Sequence, residues 1–157
     1  EAAIKSNSLK DYSLIHFATH GIVDEDSPEL SRIYLQNDSK TSEDGNLFAG
    51  EIYNLEFNAS LVSLSACQTG LGKISKGEGV IGLSRALVYA GAKNILVSFW
   101  SVADESTAQL MTDFYRKMLD NPTESYSQSL RKAKLNLLTI DKYKSPFYWA
   151  PFVLIGF

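Results

Sequence analysis

Residues 59–79 read ASLVSLSACQTGLGKISKGEG, and this stretch decides the fold class. Its small and apolar first part, 59–66, predicts a strand buried on both faces, as in the parallel sheets of α/β proteins. Cys67 stands at the C-terminal end of that strand, and a glycine-rich loop follows it. Residues 80–90 then predict a largely apolar helix with Gly91 as its C-terminal stop.

The rest of the chain alternates the same two kinds of segment. Its apolar, β-branched runs predict three further strands, over residues 13–18, 94–100 and 152–155, the first closed by a glycine turn at Gly21. Amphipathic spacing predicts helices over 105–119 and 126–138. A short strand over 32–36 and a short helix over 48–55 interrupt the polar connection that follows Gly21. This order predicts an α/β fold around a largely parallel sheet.

Length and composition limit the classes of protein to consider. The chain has 157 residues, 45% of them hydrophobic, which predicts one domain over 1–157 with a real core. A net charge of −3 without a basic run argues against nucleic acid, and no stretch is apolar enough to predict a membrane span. One cysteine and two histidines at unsuitable spacing predict no disulfide and no metal site, and they suit a reducing cytoplasm.

His20 and Cys67 are the candidate catalytic residues, because each follows a predicted strand at its carboxyl end. If those strands are parallel neighbours, the two side chains face each other above the sheet edge. A thiolate is a nucleophile, and an adjacent imidazole can accept its proton and then protonate a leaving amine. The backbone N–H groups of Gly21 and Cys67 are the candidate oxyanion hole.

Five stretches together resemble the CHAT domains, caspase-like cysteine peptidases of clan CD that are often attached to tetratricopeptide repeats. They are IHFATHG (15–21), LVSLSACQTGLG (61–72), GEGVIGLSRALVYAGAKNILVSFWSVAD (77–104), FYRKML (114–119) and FYWAPFVLIGF (147–157). The resemblance implies a caspase-like three-layer sandwich, here apparently without the N-terminal strands of the full domain. It also implies a cysteine endopeptidase acting on protein substrates without a cofactor, with Cys67 as nucleophile and His20 as the catalytic histidine.

The same resemblance implies partners. An upstream repeat region or a regulatory partner is expected to restrain the peptidase, and an exposed sheet edge beside the first strand invites pairing with a partner segment or a second copy. The alternative function is a non-catalytic caspase-like module that binds partners.

Residues 98–105, SFWSVADE, resemble the loop that helps to form the substrate pocket in clan CD enzymes. Asp104 would then meet a basic side chain, and Trp100 and Asp24 are further candidates, with Asp26 beside them. Each has a structural alternative: Asp104 reads as the N-cap of the next helix, and Trp100 as a packing residue. His16 is interpreted as a structural histidine.

A nucleotide-binding alternative depends on residues 77–82, GEGVIG, which fit G-x-G-x-x-G at the start of a helix. That fingerprint should come directly after a strand, whereas Cys67 to Lys76 intervene here. The glycines are equally explained by a loop that needs unusual backbone angles.

Overall fold

The computed structural model describes residues 1–6, 8–24, 26–37, 39–65 and 78–156, except for the side chains of 78–81. Two compact units divide these residues: the first comprises 1–101 with the chain from Ile155 onward, and the second comprises 102–154. The helices are α1 (Ala2–Lys5), α2 (Ala49–Ile52), α3 (Glu78–Tyr89), α4 (Asp104–Asp120) and α5 (Tyr126–Leu138). The strands are β1 (Leu14–Phe17), β2 (Gly21–Ile22), β3 (Arg32–Tyr34), β4 (Asn46–Phe48), β5 (Leu61–Leu64), β6 (Asn94–Ser98) and β7 (Phe152–Gly156).

A four-stranded sheet, which we call the main sheet, has the order β1-β5-β6-β7, and its strands β1, β5 and β6 belong to the first unit. β5 runs parallel to both β1 and β6. Every residue of β5 is buried, whereas β1 alternates exposed and buried residues, as expected for a central strand and an edge strand. This is the mostly parallel α/β arrangement that the sequence predicts.

The core of the first unit lies on one face of the main sheet. Alternate residues of the three parallel strands point into it, including Ile15, Val62 and Ile95. Leu83 and Leu87 of α3 fill the same core. Gly91 ends the turn after α3 with φ +108°, and a Cβ there would lie 2.0 Å from the carbonyl oxygen of Phe57, so only glycine fits.

A second sheet, which we call the small sheet, has the order β2-β3-β4 with both pairs antiparallel. Gly21, Ile33 and Leu47 lie opposite one another across its three strands, and all are buried. Ile33 and Leu47 belong to the core of the first unit. The strand residues on the other face of the small sheet are partly exposed.

The second unit is built on the helical pair α4 and α5. Leu110, Phe114 and Leu130 are among the buried residues that these helices contribute. Ser125 is the N-cap of α5 and forms a capping box with Gln128. The two helices are also joined by a hydrogen bond of 2.7 Å from Asn136 Nδ2 of α5 to the buried Asp113 of α4. In the part of the chain that the structure describes, no helix is both long and apolar enough to cross a membrane.

One local prediction is wrong, and two short strands were not predicted. Gly21 does not close a turn: it begins β2, and its φ is not among the positive values found at Gly45, Gly91 and Gly156. β2 and β4 were not predicted, because strands of two and three residues are too short to show an alternation pattern.

Candidate active site

The carboxyl ends of β1 and β5 lie side by side at one edge of the main sheet. Four consecutive residue pairs set their register, from Leu14 opposite Leu61 to Phe17 opposite Leu64. The ladder continues for one more step, because Ser65 N–H donates to the carbonyl of Phe17 at 3.3 Å. Cys67 lies outside the described residues.

His20 is held between the two sheets by backbone hydrogen bonds. Its carbonyl accepts from the Tyr34 N–H at 2.8 Å, and the neighbouring Thr19 hydroxyl donates to the Tyr34 carbonyl at 2.6 Å. These contacts extend the β2–β3 pairing by one residue, so that His20 stands directly opposite Tyr34. The His20 side chain is exposed, as a group that must reach a substrate requires.

The pairing also orients the backbone of Gly21. Opposite residues of an antiparallel pair alternate between those that exchange hydrogen bonds and those that do not. Because the Tyr34 N–H donates to the His20 carbonyl, the next pair, Gly21 with Ile33, does not exchange backbone hydrogen bonds. The Gly21 N–H therefore points away from β3, on the side where β2 forms the edge of the small sheet.

His16 lies on β1 and ties it to β5. Its Nε2 atom is 2.8 Å from the Ser65 hydroxyl oxygen, and Ser65 lies two residues beyond the partner of His16 in the ladder, Ser63. Desolvation of the ring lowers the pKa of His16 below the usual value of a histidine. The neutral imidazole is thus favoured here, as expected for a histidine that holds two strands together.

Trp100 follows β6, the next strand of the main sheet. Val62 lies opposite Ile95 and Leu64 opposite Val97, which fixes the β5–β6 register. Trp100 is partly exposed, and its carbonyl accepts from the Ser98 hydroxyl at 2.6 Å. The residue therefore lies at the carboxyl edge of the main sheet, where its candidate role in substrate binding requires it.

The Asp24 carboxylate organises the loop after β2. Its Oδ1 accepts from the N–H groups of Asp26 and Ser27, at 3.1 and 2.9 Å. This is an Asx turn, in which a carboxylate stands in for a backbone acceptor. Asp26 is exposed. If Asp24 binds a substrate, it must do so through its other carboxylate oxygen, Oδ2.

Asp104 belongs to the second unit, where it is the first residue of α4. Its interpretation as the N-cap is wrong by one residue, because Ala103 has the extended backbone of the cap and its carbonyl accepts the Thr107 N–H at 3.1 Å. Asp104 is exposed and adds a negative charge to the first turn, which the helix dipole favours.

Sequence reasoning missed the open face of the small sheet. Residues opposite each other share a face, so the face that carries His20 also carries five others, which together we call the outer face. These six residues are His20, Ile22, Arg32, Tyr34, Asn46 and Phe48. The signal that could have found them is the sequence Arg32-Ile33-Tyr34, in which one apolar residue separates two polar ones.

Gly82 is the last glycine of the G-x-G-x-x-G match, and the structure gives it a packing role that requires no nucleotide. A Cβ on Gly82 would lie 3.1 Å from the Pro28 Cβ, so this glycine lets α3 approach the Pro28 turn closely. Gly77 and the surroundings of Gly79 lie outside the described residues. Among the residues that are described, no cluster of three or more histidine, cysteine, aspartate or glutamate residues has a geometry that could hold a metal ion.

Comparison with known proteins gives one family and two relatives. The family model of the CHAT domain matches residues 1–157, across both compact units. Tetratricopeptide repeat protein 28 of Mus musculus is 31% identical over 110 residues, and that of Homo sapiens is 32% identical over 110 residues. Each alignment covers 70% of this chain but 4% of the relative, so the chain spans a small part of the length of these relatives.

Proposed function

We propose that this chain, which belongs to the CHAT domain family, is a cysteine endopeptidase domain in which Cys67 is the nucleophile and His20 the proton-transfer residue. The observation that carries this proposal is the register of the main sheet. Residues opposite each other on β1 and β5 are 47 positions apart, and so are His20 and Cys67. This equal spacing is the relation expected of two residues that follow neighbouring parallel strands and act together at the carboxyl edge of a sheet.

The same arithmetic extends to Trp100. Opposite residues on β5 and β6 are 33 positions apart, as are Cys67 and Trp100. His20, Cys67 and Trp100 thus share the sequence spacing of residues that lie opposite one another on three adjacent strands. Chemistry in open α/β sheets concentrates at this edge, which favours an active site there.

The proposed reaction is acyl transfer in two halves. The Cys67 thiolate attacks the carbonyl carbon of the scissile bond, and the Gly21 and Cys67 N–H groups stabilise the oxyanion. His20 protonates the leaving amine as the C–N bond breaks, which leaves a thioester. Water then attacks the thioester while His20 takes its proton, and the C–S bond breaks to release the acid and regenerate the Cys67 thiolate beside protonated His20.

A second candidate function is a non-catalytic module that binds partners. It is favoured by the position of β1, which ends the order of the main sheet among the described strands and so offers an edge for a partner strand or a second copy. The relatives are named for tetratricopeptide repeats, and we propose that a repeat region of the same protein regulates this domain in either case.

Peptide cleavage by the full-length protein tests the proposal. Cys67→Ala and His20→Ala should each lower the cleavage rate by roughly a thousandfold or more, because the residues act as a unit. His16→Gln removes the other histidine of the chain and should keep most of the rate. Undiminished cleavage by folded Cys67→Ala protein would refute the assignment, and partner binding without cleavage in the wild type would favour the second candidate.

A further inference from the structure

Arg32 is the charged residue of the outer face, and aromatic rings hold it in place. Its guanidinium carbon lies 5.4 Å from the centre of the Tyr34 ring and 5.5 Å from that of Phe48. Nη2 donates a hydrogen bond of 3.3 Å to the Tyr34 hydroxyl. A guanidinium stacked in this way has lost much of its rotational freedom before any ligand arrives.

The hydrogen-bonding capacity of Arg32 is not filled within the described structure. Its Nε atom is buried and has no hydrogen-bond partner there. The ion pairs of the described residues engage other cations, such as Lys5 and Arg116, and no described carboxylate lies within ion-pair distance of Arg32. Arg32 as a residue is partly exposed, and its guanidinium has more N–H donors than its hydrogen bond to Tyr34 uses, so the acceptor of a ligand can bind at its terminal nitrogens.

The sheet places Arg32 close to His20. Tyr34 is directly opposite His20, and Arg32 is opposite Ile22, two residues further along each strand. His20 and Arg32 are therefore diagonal neighbours on one face, a separation that long side chains bridge. A peptide whose scissile bond lies at His20 would bring the side chain of a nearby residue to Arg32.

We propose that Arg32 is a specificity-determining residue that binds the carboxylate of an acidic side chain in a peptide substrate. This inference rests on the proposed function and adds a substrate preference to it. The planar guanidinium can donate two parallel hydrogen bonds to a carboxylate, and the Tyr34 hydroxyl can donate a third. The chain carries a net charge of −3, and Arg32 supplies a local positive charge on the outer face for an acidic peptide.

Fluorescence polarisation with the full-length Cys67→Ala protein tests the subsite without involving the chemistry. The probes are two labelled pentapeptides that differ only in a central Asp or Asn. The Asp peptide should bind roughly tenfold more tightly, as expected for a charge-assisted pair. Arg32→Gln should abolish this difference, Arg32→Lys should retain part of it, and the matched charge control Arg131→Gln, an exposed residue of α5, should leave it intact.

Several results would overturn the subsite. Equal affinity for the two peptides, absence of binding, or an Asp preference that persists in folded Arg32→Gln and Arg32→Lys would each do so. A further outcome would also overturn the subsite. If inorganic phosphate binds through Arg32 at constant ionic strength while the protein shows no preference for the Asp peptide, Arg32 belongs to a different anion site. An Arg32-dependent Asp preference in a wild-type protein that cleaves no peptide would instead uphold the subsite and refute the endopeptidase.

Discussion

The main sheet and the small sheet hold the two halves of the candidate site in different ways. In the main sheet, parallel strands bring the ends of distant segments to one edge, and the residues of interest follow the strands. In the small sheet, antiparallel pairing puts residues on a shared face, and the residues of interest lie within the strands or directly before them. The proposed nucleophilic chemistry thus depends on the register of the main sheet. The proposed recognition of a substrate depends on which residues share a face of the small sheet.

This difference separates residues that can be substituted from residues that the core requires. On the small sheet, the buried Ile33 lies between Arg32 and Tyr34, so stability and recognition occupy alternate residues of one strand. In the main sheet, the strands themselves are buried and the candidate chemistry begins where they end. Residues of the outer face can therefore be substituted without disturbing the core.

The largest effect is expected at a glycine beside the main sheet. Gly91→Ala should lower the free energy of unfolding by about 3–5 kcal/mol, because of the positive φ and the contact of a Cβ with the Phe57 carbonyl. Gly50→Ala, in α2 next to the small sheet, is the control. The nearest atom to its Cβ would be 3.7 Å away, and alanine favours the helix. Urea unfolding of both variants measures this, and equal stabilities would contradict the role given to Gly91.

The next effect compares the two faces of the small sheet. Ile33→Ala should cost about 2–4 kcal/mol, since Ile33 has no exposed surface and its loss leaves a cavity in the core. Arg32→Gln, one residue away, should cost about 1 kcal/mol or less, because it removes stacking on an accessible face. Denaturant midpoints of the two variants test the separation of stability from recognition. A larger loss for Arg32→Gln would make that residue structural.

A smaller effect is expected where His16 ties β1 to β5. Ser65→Ala and His16→Gln should each destabilise the protein, and a double-mutant cycle of Ser65→Ala with His16→Ala should show a coupling of about 0.5–1.5 kcal/mol for the hydrogen bond. The cycle is measured by urea unfolding at about pH 7.5, where a free histidine is neutral. Additive effects would mean that the contact does not hold the strands together.

The smallest effect is a pH dependence from the same histidine. Desolvation lowers the pKa of His16 in the folded state, so the unfolded state binds the proton more readily. Stability should therefore be fully present above the unfolded pKa of about 6.5 and decline as the pH falls through and below it. His16→Gln should flatten thermal-denaturation midpoints between about pH 7.5 and 5.5 relative to the wild type. Parallel curves for the two proteins would rule out this contribution.

The sequence predicted the main sheet well because its strands carry a strong signal. β5 and β6 consist mostly of small and apolar residues, and α5 begins and ends at the predicted residues, 126 and 138. The helix after the candidate nucleophile and its glycine stop at Gly91 are also confirmed. Long periodic segments specify their own structure locally, and these segments position the carboxyl edge.

The outer face could not be predicted, for physical reasons. β2 has two residues, and its pairing with β3 depends on tertiary contacts such as that between Tyr34 N–H and His20. Nothing local in Arg32 indicates that it shares a face with His20, because that follows from a hairpin-like return across a polar connection. The exact cap of α4 was missed for a related reason: Ala103 caps through its backbone, whereas Asp104 is the residue type that usually caps.

The most direct test of the central claim is the rate at which iodoacetamide alkylates Cys67. It is measured across about pH 5–9 in the folded wild type, in His20→Ala and in the His16→Gln control. The account predicts a reactive thiolate well below the unperturbed pKa of about 8.5 in the wild type and in His16→Gln, and its loss in His20→Ala. One common pH profile for all three proteins, with a midpoint near that of a free cysteine, would contradict a coupled His20–Cys67 pair.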